Sequence, residues 1–280
     1  MRYMDTIKRA AGKSIKFIVL IWVFLMSLFP VYWTLVNSFR DNTQILSVFT
    51  LFPEQTKLTN YINVFVQSTI IRSFTNSLTI VVCDLVLLSI LSLMASFAIS
   101  RYKFKLGFPI YLLFAAGIFI PGITLMGMIY KLLYQLSLLG TKPGVILLYA
   151  STSLPLSIFL LVAFMQTIPK EIDDAAIIDG CNPWQLFTKI IIPLSRNGLV
   201  VVLIIAFIGA WNDYIWAMIL LPTQLERTFT VALAFFKTEF FTDYGLLSAC
   251  VIVGLLPVIV GYVFLQDKLI IGLTAASLKG

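Results

Sequence analysis

NSLTIVVCDLVLLSILSLMASFAISRYKFKLG, from Asn76 to Gly107, is the stretch that decides the fold. Asn76 to Ser100 holds one charged residue, Asp84, and is otherwise apolar or small. About 20 such residues make a helix long enough to cross the hydrocarbon of a bilayer. The run closes on Arg101, Lys103 and Lys105, in a very short connection that ends at Gly107. Short connections dense in Lys and Arg stay on the cytoplasmic side of a membrane, so the cluster reads first as an orientation signal, with a lipid or ligand site as the lesser alternative.

Comparable runs lie outward on both sides, at Ile15 to Thr34, Phe108 to Leu132, Gly144 to Thr167, Gly198 to Leu220 and Leu246 to Leu265. With Asn76 to Ser100 they predict an all-α integral membrane protein of six transmembrane helices in a single domain over 1–280. The N-terminal segment, Arg101 to Gly107, Ile168 to Asn197 and the tail hold most of the 20 Lys and Arg, although the other three connections are longer in total. Both termini are therefore expected in the cytoplasm. The first run follows Lys8, Arg9, Lys13 and Lys16 as a signal peptide would, but it is too long for a signal-peptide core and lacks a small-residue cleavage pattern. Pro30, Pro121, Pro155 and Pro257 fall inside spans, where each removes a backbone donor and can bend the helix.

Of the 280 residues 60% are apolar and only 12% charged, against roughly a quarter charged in soluble domains. The net charge of +7 is scattered between apolar runs rather than gathered on one face, which argues against nucleic acid. There is no histidine, and Cys83, Cys181 and Cys250 are too dispersed for a disulfide framework or a soft metal site, so no metal is expected. Gly12, Lys13 and Ser14 echo the end of a phosphate-binding loop, but Ile7 stands where its first glycine is needed. Nucleophile and acid/base constellations are missing, and the chain reads as no enzyme.

Ile168 to Asn197, IPKEIDDAAIIDGCNPWQLFTKIIIPLSRN, has the grammar of two short helices and a tight turn. Pro169 suits a first helical position, with Glu171, Asp173 and Asp174 at the positive end of the dipole. Gly180 suits a positive φ after the first helix, Asn182 an N-cap, and Pro183 the first position of the second helix, which Pro193 should end. Ile172, Ala175, Ala176 and Gly180 predict a flat stripe open to close approach; Trp184, Phe187, Ile190 and Ile191 predict an apolar stripe under the membrane helices. An amphipathic hairpin at the lipid interface and a protein-docking element are equally consistent with this pattern.

Asp174, Ala175, Ala176 and Gly180, followed by Ile192, Pro193 and Leu194, resemble the Glu-Ala-Ala loop of permease subunits in ABC importers. The wider run IPKEIDDAAIIDG, NPWQLF, IIIPL resembles the carbohydrate-uptake branch, of the maltose and multiple-sugar type. ASFAISRYKFKLG (Ala95 to Gly107), LSLLGTKPGVILLY (Leu136 to Tyr149), AWNDYIWAMILL (Ala210 to Leu221) and GLTAASLKG (Gly272 to Gly280) resemble it in the same order. Asp174 stands where that family usually has Glu, and Cys181 where Ala is common.

The resemblance implies a bacterial inner-membrane permease that works by alternating access. Its partners would be a second permease subunit, two ATP-binding subunits that carry ATP and Mg, and an extracytoplasmic sugar-binding protein; no cofactor would sit on this chain. It makes Glu171, Asp174, Ala175, Ala176, Gly180 and Trp184 the ATPase-coupling residues of a cytoplasmic loop between helices 4 and 5. Asp84 and Asp213 are functional candidates because ionisable groups within membrane spans face protein or water. Asp84 can accept from a sugar or pair with another helix; Trp211, Asn212, Asp213 and Trp216 offer the rings and hydrogen-bonding groups that suit a polyol, or an interfacial belt. The competing readings are an ABC permease for another solute and an ion-coupled carrier using Asp84 and Asp213 as relays.

Overall fold

The computed structural model describes residues 2–47, 49–53, 56–66, 68–235 and 242–277. Among them every regular element is helical: α1 (Arg2–Asn37), α2 (Asn42–Ser47), α3 (Thr59–Val66), α4 (Ser68–Arg101), α5 (Gly107–Gly117), α6 (Met126–Gln135), α7 (Lys142–Gln166), α8 (Lys170–Ile178), α9 (Pro183–Gln185), α10 (Ile192–Leu194), α11 (Arg196–Asn212), α12 (Ile215–Leu220), α13 (Phe229–Ala234) and α14 (Tyr244–Ser277). The last three residues of the tail motif lie outside the described residues.

Four stretches are single helices long and apolar enough to cross a membrane: Ile15–Asn37, Thr69–Arg101, Lys142–Gln166 and Tyr244–Val263. Pro30, Pro155 and Pro257 lie inside α1, α7 and α14. Two further stretches pass only as bent pairs, Gly107–Gly117 with Gly122–Gln135 at 92°, and Pro183–Leu194 with Arg196–Asn212 at 72°; counting each pair as one span gives six.

The third run is thus not the continuous helix its apolarity suggests; the 72° bend lies at Ser195, before the fifth run, which is interrupted separately at its far end. After Gly117 the amides of Ile118, Phe119 and Ile120 bond three residues back, and Pro121 is extended with ψ 115°. Having no N–H, Pro121 cannot continue the ladder. In the fifth run α11 stops at Asn212, Asp213 is extended with ψ 131°, and the helix resumes at Ile215.

The chain divides into two compact units, Met1–Ser68 with Phe235–Leu255, and Thr69–Ala234 with Leu256–Gly280. In the first, Arg40 is buried and its guanidinium donates to the Asn37 side chain, to Thr50 and to the Phe52 carbonyl, 5.5 Å over the Trp33 ring. These bonds order the connection after α1. Asp41 accepts from Lys57, Thr43 and the Gln44 amide, which hold its carboxyl well below the usual carboxylate range.

The second unit is built on two apolar clusters. One joins α4, α7, α8, α11 and the segment after α9 through Leu88, Phe97, Leu161, Met165, Ala176, Phe187, Ile191 and Val202. The other joins α4, α6, α7 and α12 through Ile80, Leu133, Val145, Leu148, Tyr149 and Leu220. Gly198 lets α11 approach α7: a Cβ there would lie 2.5 Å from Cγ of Phe164, closer than side chains tolerate.

Candidate functional site

The hairpin from Ile168 onward is fixed locally by its caps. Pro169 is the N-cap of α8, with ψ 141°, one position before the one its ring suits, so the helix begins at Lys170. Glu171 and Asp173 occupy the first turn, where acidic groups are stabilised by the helix dipole. Gly180 has φ +83°. The Cys181 amide donates to the Ala176 carbonyl at 2.9 Å and the Gly180 amide to the Ile177 carbonyl at 3.0 Å, the paired closure that requires a left-handed residue after the helix. Asn182 then forms a capping box, accepting from the Gln185 amide at 2.8 Å and donating its own amide to the Gln185 side chain at 2.9 Å.

Pro193 does not end the second element. Leu186–Ile191 is wound as a π-helix and the turn continues through Ile192–Leu194. The wider winding accommodates a ring that would strike the preceding turn of a regular helix and an amide that is missing. Only Ser195 separates this element from α11.

Burial sorts the hairpin into an anchored face and an open one. Ala176, Leu186, Phe187 and Ile191 are buried in the cluster under α4 and α7, with Cys181 packed beside them. Glu171, Asp174, Ala175, Ile177, Asp179 and Gly180 are exposed, with Ile178 at 85% and Trp184 at 64% of their full accessibility. Two sequence expectations are corrected here. Ala176 is a core contact, because it projects toward Phe187 rather than outward with Ala175; Trp184 does not pack under the membrane helices, and its ring only flanks Phe187 at 5.6 Å between centroids.

Arg101, read from sequence as an orientation signal, anchors this hairpin. It is the last residue of α4, its side chain is 3% exposed, and Nη1 lies 3.1 Å from the Ile168 carbonyl and 3.4 Å from Oδ2 of Asp173. Burial pushes the Asp173 carboxyl above its ordinary value; Arg101 opposes this, neighbouring Asp174 adds to it, and Lys170 opposes it. No spacing rule links positions so far apart in sequence, and the one available signal was that a guanidinium beside a short loop can reach a carbonyl end.

Deeper in the unit, α7, α11 and α12 enclose a cavity of about 320 Å³, near the lower end of the usual range for small-molecule sites, about 300–1,000 Å³. Tyr149, Thr152, Ser153, Ser157, Asp213 and Trp216 supply its polar groups and one indole face. Asp213 is held by two donors on Oδ2, the Tyr149 hydroxyl at 2.7 Å and the Ala217 amide at 2.9 Å in the first turn of α12. The break in the fifth span therefore exists where a carboxylate caps the resumed helix and borders the cavity.

Three of the residues grouped with Asp213 from sequence do not border it. Trp211 is buried between Phe207, stacked at 5.9 Å, and Phe74, edge-on at 5.6 Å. Asn212 is exposed and donates back to the Ile208 carbonyl at 3.0 Å. Asp84, fully buried, falls on the α4 face between Ile80 and Leu88, and among the described residues neither carboxylate oxygen has a hydrogen-bond partner. Tyr149 itself was missed in sequence, where it closes an apolar run and looks like core.

Comparison with known proteins matches residues 88–269 to a family described as binding-protein-dependent transport system inner membrane component. The putative ABC transporter permease protein ORF2 of a Caldicellulosiruptor species is 35% identical over 261 residues, 93% of this chain and 94% of the relative. The trehalose transport system permease protein SugB of Mycobacterium tuberculosis is 34% identical over 259 residues, 91% of this chain and 93% of its own. The crystal structure of a bacterial ABC transporter involved in the import of the acidic polysaccharide alginate contains a chain that aligns with a TM-score of 0.81 at 20% identity, over 91% of this chain and 95% of that one. That likeness is one of fold.

Proposed function

This chain belongs to the family of inner-membrane components of binding-protein-dependent transport systems, a transport subunit rather than an enzyme, and from that premise we propose that it is the permease of an ATP-driven importer of a sugar or oligosaccharide. The substrate class is supported by the trehalose relative and by a cavity whose groups suit a polyol: hydroxyls, a carboxylate held by two donors, and an indole face. Residues 1–280 act as one transmembrane domain. Its partners are a second permease subunit, two ATPases that carry ATP and Mg, and an extracytoplasmic binding protein.

The observation that carries the proposal is the two-faced hairpin. Ala176, Phe187 and Ile191 tie it to the membrane helices, while Glu171, Asp174, Ala175, Ile178 and Trp184 stand open to a partner. An apolar, partly acidic helix closed at its C-terminus by the Gly180 turn is suited to sit in a cleft on an ATPase and to carry its closure into α4 and α11 as rigid-body motion. Asp213, Tyr149 and Trp216 are the substrate contacts on this reading, and Asp84 is a buried carboxylate of α4 outside the cavity lining. Trp211 and Asn212 then position α11. The test is affinity capture of the partner ATPase from membranes of the source cell. Wild-type chain should retain it, a Trp184→Ala, Ile178→Ser variant should not, and equal retention by both would refute the docking role.

A further inference from the structure

We propose that the turn between α4 and α5 forms a binding site for the phosphate headgroup of an anionic phospholipid. A cavity of about 520 Å³ opens there, lined by the end of α4, the start of α5 and the last turn of α7. Lys103, Lys105, Tyr102, Tyr111 and Gln166 bring hydrogen-bond donors to it, and its lining contains no acidic residue. Among the described residues none of these five side chains has a hydrogen-bond or ionic partner, whereas nearby Arg101 is committed to Asp173 and Ile168.

The rings are held in place by packing. Tyr102 meets Phe97 edge-on at 5.5 Å, and Tyr111 stacks on Phe159 at 5.9 Å. Two fixed hydroxyls and two mobile ammonium groups match an anion that accepts several hydrogen bonds, and a phosphate does so with charge assistance. The carbonyl ends of α4 and α7 border the cavity with partial charges of about half an elementary charge each, and two lysines with the positive end of α5 outweigh them.

Position selects a lipid as the source of the phosphate. One membrane-crossing stretch ends at Arg101 and the next apolar pair begins at Gly107, which puts the cavity at headgroup depth. Phe108, 69% exposed, lines its mouth, and Leu112 and Leu113 continue an apolar path along α5 on which an acyl chain can lie. Basic pockets between helices at this level are suited to anionic headgroups, whereas a soluble anion gains nothing from the adjoining apolar path.

The full chain, purified in a zwitterionic detergent, is supplied with equal phosphatidylglycerol and phosphatidylcholine and examined by native mass spectrometry. Wild type should retain phosphatidylglycerol selectively. Lys103→Gln with Lys105→Gln should hold it about twenty-five-fold less well, at about fivefold per lysine. The Lys103→Arg, Lys105→Arg variant should keep it, and Lys131→Gln, a lysine of α6 outside the cavity, should be unchanged. Circular dichroism and gel filtration show that the variants are folded. Equal retention of both lipids, equal loss with Lys131→Gln, or displacement of the lipid by millimolar inorganic phosphate alone would each overturn the assignment.

Discussion

Arg101→Ala removes the guanidinium that joins α4 to the hairpin. Lost with it are a charged hydrogen bond to the Ile168 carbonyl and the ion pair with Asp173, whose side chain is 13% exposed. Removing one partner of a buried pair costs about 3–5 kcal/mol, mostly for stranding the other charge. The 3.4 Å single contact and the partial exposure of Asp173 put this site at the low end, about 3 kcal/mol. Asp173→Asn should cost about as much, about 3 kcal/mol, since it leaves the more deeply buried Arg101 charge with only the Ile168 carbonyl. Arg101→Met with Asp173→Leu should come within about 1 kcal/mol of wild type, because an apolar pair of similar volume meets no desolvation penalty.

The pH dependence follows from the raised Asp173 carboxyl. Its contribution to stability is complete below the unfolded carboxylate value and is lost as pH rises through the folded one. Without Arg101 the folded value rises further, so Arg101→Ala should recover more stability than wild type when the medium is acidified toward the unfolded carboxylate value, about 4. Unfolding in detergent by added dodecyl sulfate, followed by tryptophan fluorescence, measures both effects. A loss below about 0.5 kcal/mol for Arg101→Ala, or a double variant no better than the single, would refute the reasoning.

Gly180→Val should insert normally but fail in uptake: at φ +83° a side chain costs about 1–2 kcal/mol. Because a Cβ there meets nothing within 4 Å, that cost is backbone strain at the docking turn; normal ATPase capture and uptake in the variant would count against it. Trp184→Ala should change stability by less than about 1 kcal/mol, since the ring is mostly exposed, yet abolish ATPase-coupled uptake; a large stability loss with intact coupling would reverse its role. Tyr149→Phe removes one of the two donors to Asp213 and should raise the apparent KM for the transported saccharide about tenfold, and unchanged kinetics would exclude this cavity from the pathway.

Local chemistry was legible in the sequence and tertiary partnership was not. Gly180, Asn182 and Pro183 announced the turn and the second helix because each acts on backbone within a few residues. Whether Ala175 or Ala176 faces the membrane helices depends on the rotation of α8 against Phe187, which periodicity alone does not set. The breaks near Pro121 and Asp213 were hidden because both lie within apolar runs; an aspartate four positions before a helical amide is the signal that identifies the second. Trp211 misled because an indole in a polar-aromatic run looks the same whether it faces a cavity or Phe74 and Phe207. Arg101 was read as topology because its partners, Ile168 and Asp173, become neighbours only once α7 has crossed back.

Uptake of a labelled saccharide into proteoliposomes that contain this chain, its second permease and the ATPase pair, with the ligand-loaded binding protein outside the permease's outer face and ATP on the side of the hairpin, is the most direct test of the transport assignment. Uptake that requires both ATP and the binding protein, and that disappears with Gly180→Val while the complex's membrane insertion persists, is the predicted result. Uptake that continues without ATP when a proton gradient is imposed, and that is lost with Asp84→Asn or Asp213→Asn, would contradict it.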